Sequence, residues 1–262
     1  PELRAEAEEL VSHYQMGPIF TPPVVSRLDG PLGTLMAPAA GGGTNWPGGS
    51  YDPDTHILYV SSNSSVGALG LMPPYPGQSD MEYIQGNAIA GPRTSGGAGS
   101  SAGGGRTNFD VPPRPPIPPE VRRLGRLSVQ GLPLLKPPYG IISAIDMDRG
   151  EILWQIPHGG TPGYIQAHPD LQGVDVPTTG SPTKSSGLLL TSTLLFAGEG
   201  SRGEPVLRAY NKRTGDVVHE IQLPGGPTTG FPITYMADGQ QHIVVAALDE
   251  ENIAELVAFT VQ

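Results

Sequence analysis

One short pattern occurs three times in the chain, and it narrows the available folds more than any other feature. AIDMDRGEILW (144–154) carries Ala144, Asp146, Gly150 and Trp154 at offsets 0, +2, +6 and +10. AYNKRTGDVVH (209–219) carries Ala209, Asn211, Thr214, Gly215 and His219 at 0, +2, +5, +6 and +10. SYDPDTHILYV (50–60) carries Ser50, Asp52, Thr55 and Val60 at 0, +2, +5 and +10. Each copy reads as strand, tight turn, strand. The Asp or Asn side chain can bond the turn backbone, and the Gly accepts a left-handed conformation. A small residue at offset 0 lets neighbouring sheets approach, and a large one at +10 fills the gap. A hairpin that cannot bury its face alone, repeated along a chain, implies stacking. A β-propeller is the closed solution that leaves few exposed edges.

The rest of the chain agrees. Short strands are expected at 57–61, 141–146, 152–156, 188–190, 194–197, 206–210, 217–222, 233–236, 242–247 and 255–261, each bounded by Gly, Pro, Asp or Asn. ITYMADGQQHIVVAA reads as a hairpin around Asp238-Gly239. Residues 1–16 form the one clear helical pattern, with Leu3, Ala7, Leu10, Val11 and Tyr14 on one face and Pro18, Pro22 and Pro23 ending it. Between 66 and 130 the texture turns Gly- and Pro-rich, as in TSGGAGSSAGGGR and VPPRPPIPPE, which reads as an insertion or loop within the domain. The expected fold is all-β: a partial propeller of four-stranded antiparallel blades with one short N-terminal helix.

Composition excludes several functions. The net charge is −10 with no basic stripe, which argues against a nucleic-acid partner. With no cysteine, disulfides, thiolate nucleophiles and Cys-based metal sites are ruled out. The longest apolar stretch, 233–248, is broken by Asp238, Gly239, Gln240, Gln241 and His242, so no transmembrane segment is expected. The chain starts in mid-pattern at Pro1, as a processed or split polypeptide would. GEGSRG (198–203) fits a dinucleotide-loop pattern, but VLRAY follows as a strand where a helix is needed.

AIDMDRGEILW resembles the tryptophan-docking motif, A-x-D-x-x-T-G-x-x-x-W, of the pyrroloquinoline-quinone (PQQ) alcohol and glucose dehydrogenases, with Arg149 in place of the Thr. The segments 42–60, 131–162, 194–200, 207–226 and 233–245 are similar, in order, to C-terminal segments of the membrane-associated, glucose dehydrogenase-like quinoproteins. The resemblance implies an eight-bladed propeller with PQQ near its axis beside a calcium ion. It also implies an Asp that acts as base while PQQ takes hydride from a sugar or alcohol. In the family those catalytic and calcium-binding residues precede the segment seen here. No catalytic residue and no metal ligand is therefore expected in this chain, and most PQQ and calcium ligands lie outside it, if a cofactor is bound at all.

Within the chain, the resemblance singles out Asn45 and Trp46 in GGTNWPGG, where an amide can bond quinone oxygens and an indole offers a flat wall. A turn with a core Trp is the plainer alternative. Lys136 and Tyr139 in KPPYG are further cofactor-contact candidates, against a rigid Pro turn with an interfacial aromatic. ALDEENIAELVAF replaces the family's Gly-rich loop with its His, and His219 and Val60 replace the docking Trp. Two functions follow. The chain is either part of a PQQ-dependent dehydrogenase that passes electrons to a quinone or cytochrome, or a non-catalytic propeller-derived subunit of a larger periplasmic complex. Both require another protein chain to complete or cap the propeller, both place the protein in the periplasm after export, and association with a membrane complex is compatible with either.

Overall fold

The computed structural model describes residues 2–44, 48–93, 111–114, 116–181, 187–200, 203–226, 228, 230–249, 251 and 253–261. In chain order the elements begin with α1 (Glu2–Ser12), β1 (Val24–Val25), β2 (Thr34–Met36), β3 (Gly49–Asp52), β4 (Ile57–Asn63), β5 (Gly67–Met72), β6 (Ile84–Asn87) and β7 (Gly91–Pro92). Then come α2 (Pro119–Leu124), β8 (Ser128–Val129), β9 (Leu132–Pro133), β10 (Gly140–Asp146), β11 (Glu151–Pro157) and α3 (Gly163–Gln166). The last are β12 (Leu188–Leu190), β13 (Leu194–Gly198), β14 (Val206–Asn211), β15 (Val217–Gln222), β16 (Ile233–Ala237), β17 (Gln240–Leu248) and β18 (Ala254–Val261). They form two compact units, 1–41 with 65–135, and 42–64 with 136–262.

In the first unit, α1 buries Leu10, and Tyr14 just beyond it donates its hydroxyl to the Leu124 carbonyl at 2.8 Å. Leu32 and Leu124 complete this core. The helix ends at Ser12, earlier than its apolar pattern, because Gln15 leaves to pair with Thr34. Residues 66–130, read from sequence as an insertion or loop, hold β5 to β8 and α2. β5 lies between β1, in parallel, and β6. A side chain at Gly70 would sit 2.7 Å from the Gly86 carbonyl, so the close pairing needs glycines that hide the strand pattern from a reading of apolar alternation.

The second unit contains three antiparallel sheets. The first is β3-β4-β10-β11, the second β12-β13-β14-β15 and the third β16-β17-β18. All the strands expected here are present, most one or two residues longer. Asp238 and Gly239 take positive φ in the two-residue β16–β17 turn. The repeat copies at 144–154 and 209–219 occupy the third and fourth strands of successive sheets, and in both a bulge follows the small residue, with Ala144 opposite Trp154 and Ala209 opposite His219. The copy at 50–60 lies on the first and second strands instead, without a bulge, so Ser50 faces Tyr59 rather than Val60.

The first and second sheets pack through Tyr59, Ile142, Ala144, Leu188, Leu195, Ala197 and Tyr210, with Trp154 against them. The Trp154 ring, 5.9 Å from that of Tyr59, covers the turn of the next sheet. A Cβ on Gly215 would lie 3.1 Å from Trp154 Cε3 and 2.9 Å from Ile156 Cγ2. Polar bonds cross the same gap. Lys212 Nζ donates to Asp52 Oδ2 at 2.6 Å, Tyr59 donates its hydroxyl to the Lys212 carbonyl, and Ser50 donates to the Leu188 carbonyl. The second and third sheets meet through Phe196, Leu207, Ala209, Leu223, Ile243, Val245 and Ala247.

Gly215 has φ +79°, so Gly215→Ala adds backbone strain to a collision with Trp154. We expect a loss of about 2–4 kcal/mol in urea unfolding. In a Trp154→Ala background the same change is expected to cost only about 1 kcal/mol, the strain alone. Additive effects would show that the two residues do not touch.

Candidate functional site

Strand direction sorts the loops of the second unit to two ends. The tight turns 53–56, 147–150, 191–193, 212–216 and 238–239 share one end. The opposite end carries the described residues of the connections after β11, β13, β15 and β17, together with 136–139. At the turn end side chains bond their own backbone: Asp146 Oδ1 accepts from Asp148 and Arg149, and Asn211 Oδ1 from Arg213. Those Asx contacts are consumed by the turns. At the loop end a cleft of about 410 Å³ opens. It is lined by residues 160–164, Ser181, Glu199, Gly203 and Glu204.

The cleft is built on a buried ion pair. Glu199 is 1% exposed, and its Oε1 accepts from Arg208 Nη1 and from the Gly160 amide, while its Oε2 accepts from the Glu204 amide at 3.0 Å. Arg208 also reaches Glu220 Oε1 at 2.5 Å and Glu204 Oε2 at 3.4 Å. One guanidinium thus meets three carboxylates. Glu199 lies between two glycines: a Cβ on Gly159 would be 3.0 Å from its Oε2, and one on Gly203 would be 2.8 Å from it. Beneath them His158 is buried and its Nε2 donates to the Gly198 carbonyl at 2.9 Å. Burial, reinforced by the positive charge of Arg208 and only partly offset by that hydrogen bond, lowers its pKa to about 4.

Two of the sequence-expected residues lie at this end. Lys136 is exposed, and Tyr139 is buried, with its amide bonded to the Thr179 carbonyl at 2.7 Å. Burial and nearby Tyr164, which lines the cleft, raise the Tyr139 pKa, so its hydroxyl is a neutral hydrogen-bonding group. Asn45 and Trp46 lie outside the described residues. His158, Ser181, Glu199, Glu204 and Arg208 were not singled out by the sequence reading. The one signal for them was the GEGSRGEP segment, whose glycine spacing matches a dinucleotide loop and hides its two acids, Glu199 and Glu204.

Residues 1–243 match the PQQ family described as glucose/ethanol/alcohol dehydrogenase, beta-propeller domain. The chain belongs to this family. It is 30% identical over 234 residues to quinoprotein glucose dehydrogenase of Escherichia coli, covering 87% of this chain and 25% of that protein. It is 29% identical over 219 residues to quinate/shikimate dehydrogenase (quinone) of Acinetobacter baylyi, covering 82% and 24%. The glycerol dehydrogenase large subunit of Gluconobacter thailandicus gives 29% over 245 residues, covering 87% and 28%. Among solved structures, the quinohemoprotein alcohol dehydrogenase of Pseudomonas putida aligns over 82% of this chain and 23% of its own, with 18% identity and a TM-score of 0.45. The chain spans about a quarter of the length of the relatives it matches. Its fold is a partial β-propeller, and the three stacked sheets are blades.

The described residues that line the cleft do not fit PQQ. The quinone is a tricarboxylate, and Arg208, which meets the cleft's glutamates, is already shared among three carboxylates. Nor do three or more His, Asp or Glu side chains gather as a metal-ligand set among the described residues, as calcium would require. No helix among them is long and apolar enough to cross a membrane.

His158 gives a pH test. The unfolded chain takes up its proton near pH 6.5, the folded chain only near 4. Folding stability is therefore full above pH 6.5 and falls as pH drops towards 4, by about 1.4 kcal/mol per unit. His158→Gln keeps a donor for Gly198 and is expected to flatten that slope in urea titrations between pH 6.5 and 4.5.

Proposed function

We propose that this chain is the C-terminal part of a PQQ-dependent dehydrogenase that oxidises a sugar or alcohol and passes the electrons to a quinone or cytochrome. The observation that carries this reading is the family match over 1–243 on a chain that spans a quarter of its relatives. Trp154 over Gly215 supports it, as the contact that a tryptophan-docking motif makes between blades. The outer faces of the second unit support it too. Ile152 and Leu153 on the first sheet, and Ile233, Tyr235 and Leu256 on the third, face away from the second sheet and are exposed. Further blades would cover them.

In this reading the catalytic base, the calcium ion and most PQQ contacts belong to the part of the propeller that the chain does not span. When bound, PQQ supplies hydride-accepting chemistry. This chain supplies walls and loops at one end of the blades, with Asn45, Trp46, Lys136 and Tyr139 as its candidate cofactor contacts. The protein works in the periplasm as part of a larger protein assembly. The acidic cleft favours a second reading, a propeller-derived subunit without a cofactor.

Co-expression with the remaining propeller polypeptide, addition of PQQ and calcium, and dye reduction with glucose, glycerol and ethanol separate the two. Turnover that needs both chains is expected, with Trp46→Ala lowering the rate about tenfold or more. An assembled complex that holds no quinone would sink the enzyme reading.

A further inference from the structure

The first unit carries a surface that its own core does not use. Residues 14–26, YQMGPIFTPPVVS, contain no Asp, Glu, Lys, Arg or His in a chain of net charge −10. Within them Pro18 to Thr21 form a tight turn. The Thr21 amide donates to the Pro18 carbonyl at 3.1 Å, and the Thr21 hydroxyl donates to the same oxygen at 2.6 Å. Ile19 and Phe20 take the two central positions. Phe20 has φ 72°, the left-handed conformation that the third position of such a turn normally gives to Gly or Asn. A bulky aromatic held there is strained.

Burial inside the chain does not offset the strain. Phe20 is 93% exposed, Ile19 83% and Met16 67%, so three large apolar side chains within one short segment stand in water. The turn is nevertheless fixed. A Cβ on Gly17 would sit 2.2 Å from Thr21 Oγ1, so the glycine leaves room for the hydroxyl that closes the turn. Beside it lies a groove of about 410 Å³, whose lining includes Ile19, Phe20, Pro23, Leu35, Met36 and Leu69. Single exposed hydrophobics are ordinary, but an apolar patch held outward by a strained turn calls for a partner.

We propose that the turn at Met16–Phe20 is a docking knob for the part of the propeller that this chain does not span, with Ile19 and Phe20 entering an uncharged, apolar pocket on it. The inference rests on the reading of the chain as one part of a larger propeller, and it assigns a place where the parts join. The length outside the chain argues for this occupant. The match covers only 25% of the Escherichia coli relative, so about three quarters of that protein has no counterpart here. The turn itself lies within the family match over 1–243. Large apolar anchors in desolvated pockets carry most of the energy of an interface. A turn already fixed loses little freedom on docking, and burying it desolvates no charge. A lipid surface fits less well, because the turn offers no Lys or Arg to anionic headgroups and the net charge of −10 is repelled by them.

The test co-expresses the full chain with the remaining propeller polypeptide and measures how readily the isolated complex dissociates. Phe20→Gly is the decisive variant, because it removes the side chain and the strain together. The urea midpoint of the full chain carrying it is expected to match or exceed the parent's. Its complex is expected to dissociate about thirtyfold more readily, and that of Ile19→Ala about tenfold. The ratio of parent to Phe20→Gly should be the same at low and high salt, since no charge takes part. The inference is overturned if the parent forms no complex, if Phe20→Gly associates like the parent, or if it lowers the urea midpoint. It is equally overturned if Phe20 proves to drive self-association in sedimentation or binding to phosphatidylcholine vesicles. PQQ turnover is read separately. A complex that depends on Phe20 but holds no quinone sinks the dehydrogenase reading alone, and turnover by a complex indifferent to Phe20 sinks this inference alone.

Discussion

The structure of the second unit depends on how closely one sheet can approach the next, and that is decided at the turn end. Trp154 rests on Gly215, where any side chain would displace it. Around that contact Asp52 and Lys212 form an ion pair in which both partners are buried. A buried pair is a weak source of net stability, but breaking it leaves a charge without compensation. Here the geometry limits the penalty: Asp52 also accepts from the Thr55 hydroxyl and the Asp54 amide. With the Lys212 hydrogen bond foremost and those of Thr55 and Asp54 adding to it, the Asp52 pKa is held at about 2. Because Asp52 belongs to the first sheet and Lys212 to the second, the pair favours one alignment of the sheets. The apolar contacts of Tyr59 and Ile142 alone would tolerate small slips.

Fixing the turn end leaves the other end free to vary. The turn end holds only short connections, so the longest connections of the second unit emerge at the other. The loop end is nevertheless tied locally. His158 bonds the Gly198 carbonyl of the second sheet, and the Thr228 amino-acid unit links the second and third sheets by accepting from Gly200 and donating its hydroxyl to Ala246. The Glu199–Arg208 pair then sets the charge of the cleft from within the second sheet. Architecture and chemistry are thereby separated: turn residues set the sheet spacing, and loop residues set what the surface attracts.

The strands of the second unit were legible because each carries short apolar runs between turn signals, and because Ala144, Gly150 and Trp154 recur at spacings that a bulged hairpin requires. The copy at 50–60 looked equivalent, yet it lies on the first and second strands without a bulge, and Asp52 there serves Lys212 as well as its own turn. The strands of residues 66–130 were hidden because glycines such as Gly70 stand where alternation would have placed apolar side chains. The cleft was not legible at all. It joins residues 160–164, 181, 199, 203 and 204, which no local spacing connects, and its two acids gain meaning only once Arg208 is seen to serve both of them.

The third sheet carries the last step. Among the described residues it has three strands where its neighbours have four, and β18 forms its outer edge over Ala254–Val261. An open edge of that length is usually protected by Lys, Pro or a bulge. AELVAFTV carries a single charge, Glu255, near its start, and its pairing with β17 is continuous from Ala254 to Val261. On the face turned away from the second sheet, Leu256 is 77% exposed beside Tyr235 and Ile233. A sparsely protected edge and an uncovered apolar face on the same sheet are together costly in water. Neither feature has a use in a free-standing three-sheet stack. Both suit a larger propeller of which this chain spans one part.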